Sequence, residues 1–291
     1  ISATGFTAIS GDTTPLSLVL DSTNSSGAAN AISLTGVSGT SDFGNGTLTA
    51  TAAPFLISGG TCSTTYRGNI TQANNAPLVS ISGHSAGTVT FVNGPGTVGA
   101  TNGTGLLFDN ADGLYNFNGI TTLNGGDAGI DIINGSAGSF TFNGSTSITE
   151  PSGIAFRQDA SNASVTYAGT ITKTNNANHA VDINGKTSGS TTFARTGGGQ
   201  ITATTTSANA IDLTNTGGSI TFSGGLAITT TSGIGFNATG AGQTVNVCDE
   251  NPCNPALTGA LSNMLGSTTG TALNVSATTI GSNNLEFQRI A

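Results

Sequence analysis

One four-residue phrase recurs along this chain as Thr88-Val89-Thr90-Phe91, Ser139-Phe140-Thr141-Phe142, Ser164-Val165-Thr166-Tyr167 and Ser219-Ile220-Thr221-Phe222. Each copy contains a small hydroxyl residue, an apolar residue, Thr and then an aromatic ring. Aromatic residues that end this phrase, or a close variant of it, follow one another at intervals of 25 to 29 residues: Tyr66, Phe91, Phe117, Phe142, Tyr167, Phe193 and Phe222. A fixed period in this range is typical of a repeat architecture.

The composition of the chain is unusual for a globular domain. Its 291 residues include 44 Gly and no Trp, only 7% are charged, and the net charge is −8. Abundant Gly, Ser and Thr are also typical of flexible linkers. A linker, however, has no reason to place an aromatic ring at regular intervals. We therefore predict a regular fold with a thin core and many turns.

Three classes of partner or segment are not expected. No apolar run approaches the ~18 residues that a membrane-spanning helix needs, so we predict no membrane span. The six basic residues are scattered, so we predict no nucleic-acid partner, since such binding depends on clustered cations. The first residues lack the basic start and apolar run of a signal peptide. Either an export signal has been removed or the chain is a piece of a longer protein.

Each repeat contains three short apolar clusters that alternate with polar residues. In Val165-Thr166-Tyr167 the apolar side chains point to one side, and in Ile211-Asp212-Leu213 the carboxylate points to the other. Asn-Gly, Gly-Gly and Ser-Gly pairs between the clusters are typical of turns. The pattern predicts an all-β fold: a single right-handed parallel β-helix (β-solenoid) of about eleven coils of ~25 residues, with three short strands per coil.

We predict one domain over residues 1–291. Residues 1–60 form less regular coils, residues 61–247 form the regular coils with the aromatic residues, and residues 248–291 contain a loop with a cysteine pair and the terminal coils. Stacked coils place the seven aromatic residues from Tyr66 to Phe222 above one another inside the solenoid. We expect this structural core ladder to stabilise an otherwise thin core.

Several phrases resemble those of a known family. Ile220-Thr221-Phe222-Ser223-Gly224-Gly225-Leu226, Gln243-Thr244-Val245-Asn246-Val247 and the stretch from Gly270 to Gly281 are similar to bacterial right-handed parallel β-helix repeats of surface or secreted, adhesin-like proteins. The resemblance covers roughly residues 60–290. It implies the fold and an extracellular or cell-surface location. It implies no activity, because such proteins include lyases, hydrolases, phage tailspikes and structural fibres.

The two ends of the chain read as ordinary strands without a capping helix. Open strand edges promote association unless they are covered. We therefore predict end-to-end contacts through Ile1 and Phe6 at one end and through Leu285, Phe287 and Ile290 at the other. Two explanations stay open: further β-helix of a longer chain, or copies of the protein that stack into a filament through matching ends.

The cysteines favour a disulfide over a metal site. Cys248 and Cys253 bracket Asp249-Glu250-Asn251-Pro252, and a disulfide across this loop is plausible chemistry for an exported protein. Two thiols beside carboxylates also suggest a metal site, but no further Cys or His pair completes four ligands, so we predict no metal. Cys62 is expected to be a small buried residue, with an intermolecular bridge as the alternative.

His84 and His179 lie in turns and are expected at the surface.

Carboxylates recur at equivalent outward positions as Asp131, Asp182 and Asp212, with Ala155 interrupting the row. A polysaccharide hydrolase or lyase would use such a face. Asp131 and Asp182 would lie ~10 Å apart, two strand spacings. The basic residues, however, are expected in separate turns, and no aromatic platform for a sugar accompanies them: Arg157, Lys173, Lys186 and Arg195. We therefore predict that the carboxylates are solvated residues that keep the strands soluble, and that the protein is not an enzyme.

The recurring phrase also predicts a regular array of outward hydroxyl groups. The pairs are Thr88 and Thr90, Ser139 and Thr141, Ser164 and Thr166, Ser190 and Thr192, and Ser219 and Thr221, with Leu114 and Asn116 interrupting the rows. An ice-binding solenoid uses a surface of this kind. The preference of Thr for exposed strand positions explains the same pattern without a ligand.

Taken with the resemblance, these patterns predict an extracellular structural protein: a rigid β-helical shaft, or the subunit of a surface fibre that assembles end to end. We expect no cofactor. The alternatives are an adhesin or carbohydrate-binding module, and then a polysaccharide-active enzyme or an ice-binding protein.

Overall fold

The chain winds into a parallel β-solenoid. The structure is a computed structural model that describes residues 1–92, 96–254 and 261–291. These residues form 33 strands in three parallel sheets and no helix. Each coil of the solenoid adds one strand to sheet 1, then one to sheet 2, then one to sheet 3. The predicted fold class is confirmed.

The described strands of each sheet stack in chain order. Sheet 1 consists of β1 (Ser2–Thr4), β3 (Asn24–Ala28), β6 (Thr47–Ala50), β9 (Asn69–Gln72), β12 (Thr97–Ala100), β15 (Ile120–Asn124), β18 (Thr146–Thr149), β21 (Thr170–Asn176), β24 (Ile201–Thr205), β27 (Leu226–Thr230), β30 (Asn263–Ser267) and β33 (Arg289–Ile290). Sheet 2 consists of β2 (Ile9–Asp12), β4 (Ile32–Thr35), β7 (Phe55–Ser58), β10 (Pro77–Ser82), β13 (Gly105–Asp109), β16 (Gly129–Ile133), β19 (Phe156–Asp159), β22 (Val181–Asn184), β25 (Ile211–Thr214), β28 (Phe236–Thr239) and β31 (Leu273–Ser276). Sheet 3 consists of β5 (Thr40–Asp42), β8 (Ser63–Tyr66), β11 (Thr88–Phe91), β14 (Leu114–Phe117), β17 (Ser139–Phe142), β20 (Ser164–Tyr167), β23 (Ser190–Phe193), β26 (Gly218–Phe222), β29 (Gln243–Val247) and β32 (Thr279–Leu285).

The third side of the first coil is residues 15–22, which pair with the second coil through three parallel bridges, Pro15–Ser38, Val19–Asp42 and Ser22–Asn45. The solenoid therefore has eleven complete coils, and β33 adds one further strand to sheet 1.

The turn after sheet 2 explains much of the Gly and Asn content. Successive coils place one residue there at positive φ, among them Gly83 (60°), Asn110 (52°), Asn134 (54°) and Asn215 (49°). Gly adopts this conformation without a steric penalty, and Asn tolerates it better than other residues with side chains. The same turn is thus repeated coil after coil, which keeps the strands of neighbouring coils in register.

The aromatic residues of sheet 3 occupy one register position. From Tyr66 to Phe222 each aromatic residue is the register neighbour of the aromatic residue in the preceding coil, and all seven are buried. The ring centroids of Phe117 and Phe142 are 5.0 Å apart, and those of Phe193 and Phe222 are 4.8 Å apart with nearly parallel rings. Stacking at this distance adds to the energy of burial.

Sheet 2 faces this ladder with aromatic residues of its own. Phe55, Phe108, Phe156 and Phe236 are buried, and their rings meet those of sheet 3 edge to face, at centroid distances of 5.2 Å for Phe55 and Phe91 and 5.1 Å for Phe156 and Phe193. These four residues recur less regularly than the ladder and were not part of the predicted aromatic ladder. The core is therefore built from two aromatic sets that interlock across the solenoid.

Candidate functional site

The outer faces of the three sheets differ in charge. The outward positions of sheet 1 from β1 to β30, and those of sheet 3 from β8 to β29, carry no ionisable side chain in the described strands. The outward positions of sheet 2, which we call the sheet 2 face, carry most of the strand carboxylates: Asp12, Asp109, Asp131, Asp159, Asp182 and Asp212, together with Arg157. Acid–base or ionic chemistry on a strand face is therefore concentrated there.

The sheet 2 face contains one continuous row of charged and amide side chains. Asp131, Arg157, Asp182, Asp212 and Asn237 are register neighbours on five successive strands. The sequence placed Ala155 in this row and Arg157 in a turn, and both assignments were wrong. The turn before β19 is longer than expected, so the strand begins at Phe156 and brings Arg157 between the two carboxylates.

The carboxylate of Asp212 is fixed by two amide donors. Asn209 Nδ2 lies 2.8 Å and Asn237 Nδ2 lies 2.6 Å from Asp212 Oδ1. The ring of His179 is held in turn by its Nδ1, 2.7 Å from the carbonyl oxygen of Asn209. Both amide groups donate to the same oxygen, so they fix the orientation of the Asp212 carboxylate on the sheet 2 face. His179, predicted at the surface, is half-buried beside the row.

Burial raises the pKa values of two other carboxylates in the row, Asp131 and Asp182. It raises the pKa of Asp131 to about 6, with the nearby Arg157 opposing this effect and Asp127 adding to it. The pKa of Asp182 is also raised, first by burial, while His179 lowers it and the charge of Asp212 raises it. Like charges on adjacent strands disfavour the simultaneous ionisation of both groups. The row can therefore hold a proton close to neutral pH.

Arg157 has its own partner within the strand. Its guanidinium donates to the carboxylate of Asp159, two residues along the same strand. Four charged side chains thus lie together on three strands, Asp131, Arg157, Asp159 and Asp182. The guanidinium of Arg157 neutralises part of the negative charge of the sheet 2 face. The side chains of Arg157 and Asp159 are only partly exposed.

Both lysines predicted in turns are buried, and only Lys186 lies in a turn, whereas Lys173 lies within β21. Lys173 lies at an inward position of β21, where its Nζ donates to the carbonyl oxygens of Pro151, at 2.7 Å, and Gly153. Burial lowers the pKa of Lys173 to about 8, against the raising effect of Glu150 and Asp127. Lys173 thus stabilises the turn that contains Pro151 and Gly153 from the interior of the solenoid. Its side chain is directed away from the sheet 2 face.

Lys186 is also buried, and among the described residues no carboxylate influences its pKa. Its Nζ lies 2.9 Å from the carbonyl oxygen of Ala163 and 3.1 Å from Thr191 Oγ1, and Thr191 donates to Gln158 Oε1 at 2.6 Å. Burial lowers the pKa of Lys186 to about 8. Arg195 lies after β23, where its Nη1 is 3.4 Å from the carbonyl oxygen of Gly144. None of these three cations lies beside the carboxylate row.

His84 is fully buried, so its predicted surface position was wrong. Its Nε2 lies 3.0 Å from the carbonyl oxygen of Cys62, and its Nδ1 lies 2.9 Å from the hydroxyl of Tyr115. These contacts match a neutral ring that donates from Nε2 and accepts at Nδ1. The thiol of Cys62 is also buried, and burial raises its pKa to about 11. Such a thiol is not a nucleophile at neutral pH.

The other two cysteines are joined to each other. A disulfide links Cys248 and Cys253 across the loop that follows β29. Beside it, carboxylate oxygens of Asp249, Glu250 and Glu286 all lie within 4.8 Å of one another. A hydrogen bond with Asp249 is the first cause that raises the pKa of Glu250. Proton sharing therefore relieves the repulsion in this acidic cluster.

The outward hydroxyl groups of sheet 3 form two register rows. Thr90, Thr141 and Thr166 belong to one row, which Asn116 interrupts, and Ser139 and Ser164 belong to the other, which Leu114 interrupts. The rows are flanked by turns and lie on an uncharged face. The described geometry is thus a regular hydroxyl surface with two non-hydroxyl positions in one coil.

The predicted end residues lie at the two ends of the rod. Ile1 and Phe6 are 54% and 76% exposed, and Ile290 is 51% exposed. Leu285 and Phe287 are partly buried against the core, with the ring of Phe287 5.9 Å from that of Phe236. Further apolar side chains of the last coil, Leu273 and Val275, are also only partly covered. The end coils therefore present apolar side chains beside unpaired strand edges.

Comparisons of the chain with protein-family models, with curated proteins and with solved structures found no match. In the described parts of the chain, no helix has the length and apolar character needed to cross a membrane. The function has to be inferred from the residues of the chain itself.

Proposed function

We propose that this protein is an extracellular structural protein, a rigid shaft whose β-solenoid continues across its end coils into another solenoid unit. The observation that carries the proposal is the apolar surface of the last coil. Leu273, Val275, Leu285 and Phe287 occupy inward or core-facing positions, yet they stay partly exposed because no described coil covers them. Stacking another coil on this surface would bury them as the equivalent residues of earlier coils are buried.

Backbone groups at both ends support the same proposal. The outermost strands are β1 and β2 at one end and β31, β32 and β33 at the other. Each has one edge without a described partner strand, and such an edge is a template for a further parallel strand. A contact between unlike ends repeats without closing and produces a filament.

The position of β33 adds a geometric condition. If a second copy places its β2 on β31 and its residues 15–22 on β32, its β1 arrives at the place in sheet 1 that β33 already occupies. One of these two short strands then has to move aside. β33 has only two residues, both exposed, so it is the strand that yields more readily.

Rigidity follows from the construction of the rod. Three continuous ladders of backbone hydrogen bonds run along its axis, and the stacked rings fill its interior. A shaft with these properties resists bending and offers few flexible segments to a protease. The extracellular location rests on the resemblance to surface β-helix repeats and on the disulfide, which persists in oxidising surroundings.

Electron microscopy of the purified protein over a range of concentrations tests the proposal. We expect filaments whose axial repeat is that of eleven coils, ~53 Å. Leu273→Asp should abolish them, because it places a charge in the buried contact. Ser276→Asp is the matched control, since Ser276 lies in the same strand but is exposed. Removal of residues 288–291 should increase filament formation by freeing sheet 1 for β1 of the next copy.

Two results would contradict separate parts of the proposal. Isolated short rods at every concentration, in the wild type and in the truncated variant, would exclude the stacking of copies. A flexible rather than rod-like particle in small-angle scattering would exclude the shaft itself. The other functions that the sequence suggests, an adhesin, a polysaccharide-active enzyme and an ice-binding protein, stay predictions.

A further inference from the structure

Two glycines in the strands of sheet 1 have no structural need to be glycine. At Gly99 in β12 an added Cβ would meet nothing closer than 3.6 Å, and at Gly266 in β30 nothing closer than 3.8 Å. Neither residue has a positive φ. Every other glycine within a described strand either has a positive φ or would bring its Cβ within 3.0 Å of another atom.

Gly99 interrupts a row of threonines. Its register neighbours on the outer face of sheet 1 are Thr71 and Thr122, and Thr49 precedes Thr71 in the same row. A glycine inside a strand weakens the strand, and where it persists it often marks the close approach of a ligand or of another backbone. A threonine at this position would complete the row and stabilise the strand. The glycine therefore has a cost in stability that the local structure does not explain.

A groove of about 320 Å³ lies across β9, β12 and β15, and Gly99 is part of its lining. Its lining includes Thr71, Thr97, Thr101, Thr122 and Asn124 around the floor at Gly99. The volume lies at the lower end of the range for small-molecule sites, ~300–1,000 Å³. Gly266 lies in a second such groove of about 480 Å³ on the same face. The same feature thus occurs twice on one sheet.

The chemistry of the groove selects a neutral, hydroxyl-rich ligand. Its lining contains no ionisable side chain, and it presents threonine methyl groups together with hydroxyl and amide groups. A pyranose ring has the complementary surface, with apolar C–H groups on its faces and hydroxyl groups at its edge. An acidic glycan would gain no ion pair here and would be repelled by the net charge of −8.

We propose that the groove at Gly99 binds a sugar ring of a neutral glycan chain. The ring lies over the glycine, its C–H face on the backbone of β12, and its hydroxyl groups bond Thr71, Thr122 and Asn124. A second copy of the protein is the other occupant that would fit an uncharged strand face, and the experiment distinguishes it from a glycan.

The test is isothermal titration of the full chain with neutral hexasaccharides of glucose, mannose and N-acetylglucosamine, and with a hexamer of galacturonic acid. We expect saturable binding of at least one neutral glycan and no binding of the acidic one. Gly99→Thr should weaken that binding by about tenfold or more, because its side chain fills the groove. The same variant should unfold at a higher temperature than the wild type, which shows that it folds.

Two further variants make the result specific. Gly144→Thr is the matched control, since Gly144 is exposed in a turn and has room for a side chain, and it should bind as the wild type does. Thr122→Val keeps the shape but removes a hydroxyl, and it should weaken binding. The proposal is overturned if no neutral glycan binds, if the acidic hexamer binds equally well, or if Gly99→Thr binds with unchanged affinity. Concentration-dependent dimers that Gly99→Thr removes would instead identify a second copy as the occupant.

Discussion

Single side chains stabilise the solenoid in two different ways. Rings fill the interior by stacking on the rings of neighbouring coils, as Phe142 does. Buried polar groups bond the carbonyl oxygens of turns, as Lys173, Lys186 and His84 do. The first group contributes burial energy, and the second removes the cost of leaving turn carbonyls unpaired.

Phe142→Ala tests the contribution of one ring. Its centroid lies 5.0 Å from that of Phe117 and 6.0 Å from that of Tyr167. We expect a loss of ~3–5 kcal/mol in the free energy of unfolding, because the neighbouring rings cannot close the cavity. Chemical denaturation measures it. Ser145→Ala, at an exposed turn position, should change the value by less than ~0.5 kcal/mol.

The buried His84 predicts a loss of stability in mild acid. Burial lowers its pKa, so the folded state keeps the ring neutral where the unfolded state, with a pKa of about 6.5, takes up a proton. The unfolded state then binds more protons, and the free energy of unfolding falls as the pH drops below about 6.5. The expected slope is at most ~1.4 kcal/mol per pH unit.

The measurement compares wild type and His84→Gln by urea denaturation at several pH values. The difference between them should be constant above about pH 7.5 and should shrink below about pH 6.5. The comparison with the variant is needed because the wild type contains a second group that titrates in this range. The pKa of Asp131 is raised to about 6, so protonation of Asp131 stabilises the folded state in acid, opposite to the effect of His84. A difference that does not change with pH would show that the pKa of His84 is the same in the folded and unfolded states, and would contradict the effect of burial.

Lys186 predicts a gain of stability in mild alkali. Its pKa of about 8 in the folded protein lies below the value of about 10.4 for an unfolded chain. Between these values the unfolded state binds more protons, so the free energy of unfolding rises with pH. Lys186→Met removes this group. The stability of the wild type relative to this variant should therefore increase between about pH 8 and pH 10, by at most ~1.4 kcal/mol per unit. A constant difference over that range would contradict the burial of the ammonium group.

At the scale of the strand, register decides which side chains meet. The sequence was sufficient for the strand pattern, because alternation and the aromatic period recur in every regular coil. It was not sufficient for the carboxylate row, since the length of the turn before β19 shifts the strand by two residues, from Ala155 to Arg157. Similarly, Ile120 has the spacing of a core residue but lies outward, and Thr121 takes the inward position.

The buried polar residues were missed for a related reason. His84 and Lys186 lie in Gly-rich turns, and turns of this composition are usually exposed. Only the stacking of coils shows that the ring of His84 is directed to the carbonyl oxygen of Cys62, 22 residues earlier. The positions of the candidate end residues follow from the chain order alone, and their end-to-end contacts stay a prediction.

Asp212→Asn tests the coupling of neighbouring strands on the sheet 2 face. The charge of Asp212 contributes to the raised pKa of Asp182. Its removal should lower that pKa toward the ordinary value, while burial keeps it above that value. Carbon-13 NMR of the carboxyl groups measures the change. Asp12→Asn, on the first coil, is the control and should leave Asp182 as it is. An unchanged pKa of Asp182 in the Asp212 variant would mean that the two carboxylates do not face each other.

At the scale of the whole molecule, each coil contacts mainly the coils above and below it. The stability of such a rod is approximately a sum over neighbouring coils, and the end coils have one neighbour instead of two. We expect hydrogen exchange to be slowest in the middle, from β14 to β23, and fastest in β1 and β33. Mass spectrometry of exchanged peptides measures this gradient. Uniform protection along the chain would indicate one cooperative unit.

The direction of the backbone hydrogen bonds has a mechanical consequence. In all three sheets they run along the axis of the rod, since every strand pairs with its equivalent one coil away. A force that pulls the two ends apart therefore loads the coil-to-coil contacts in series, and the weakest end coil separates first. Each coil of ~25 residues then releases about 85 Å of extended chain. Under tension the shaft would lengthen in discrete steps and absorb work at each one, while under bending it stays stiff.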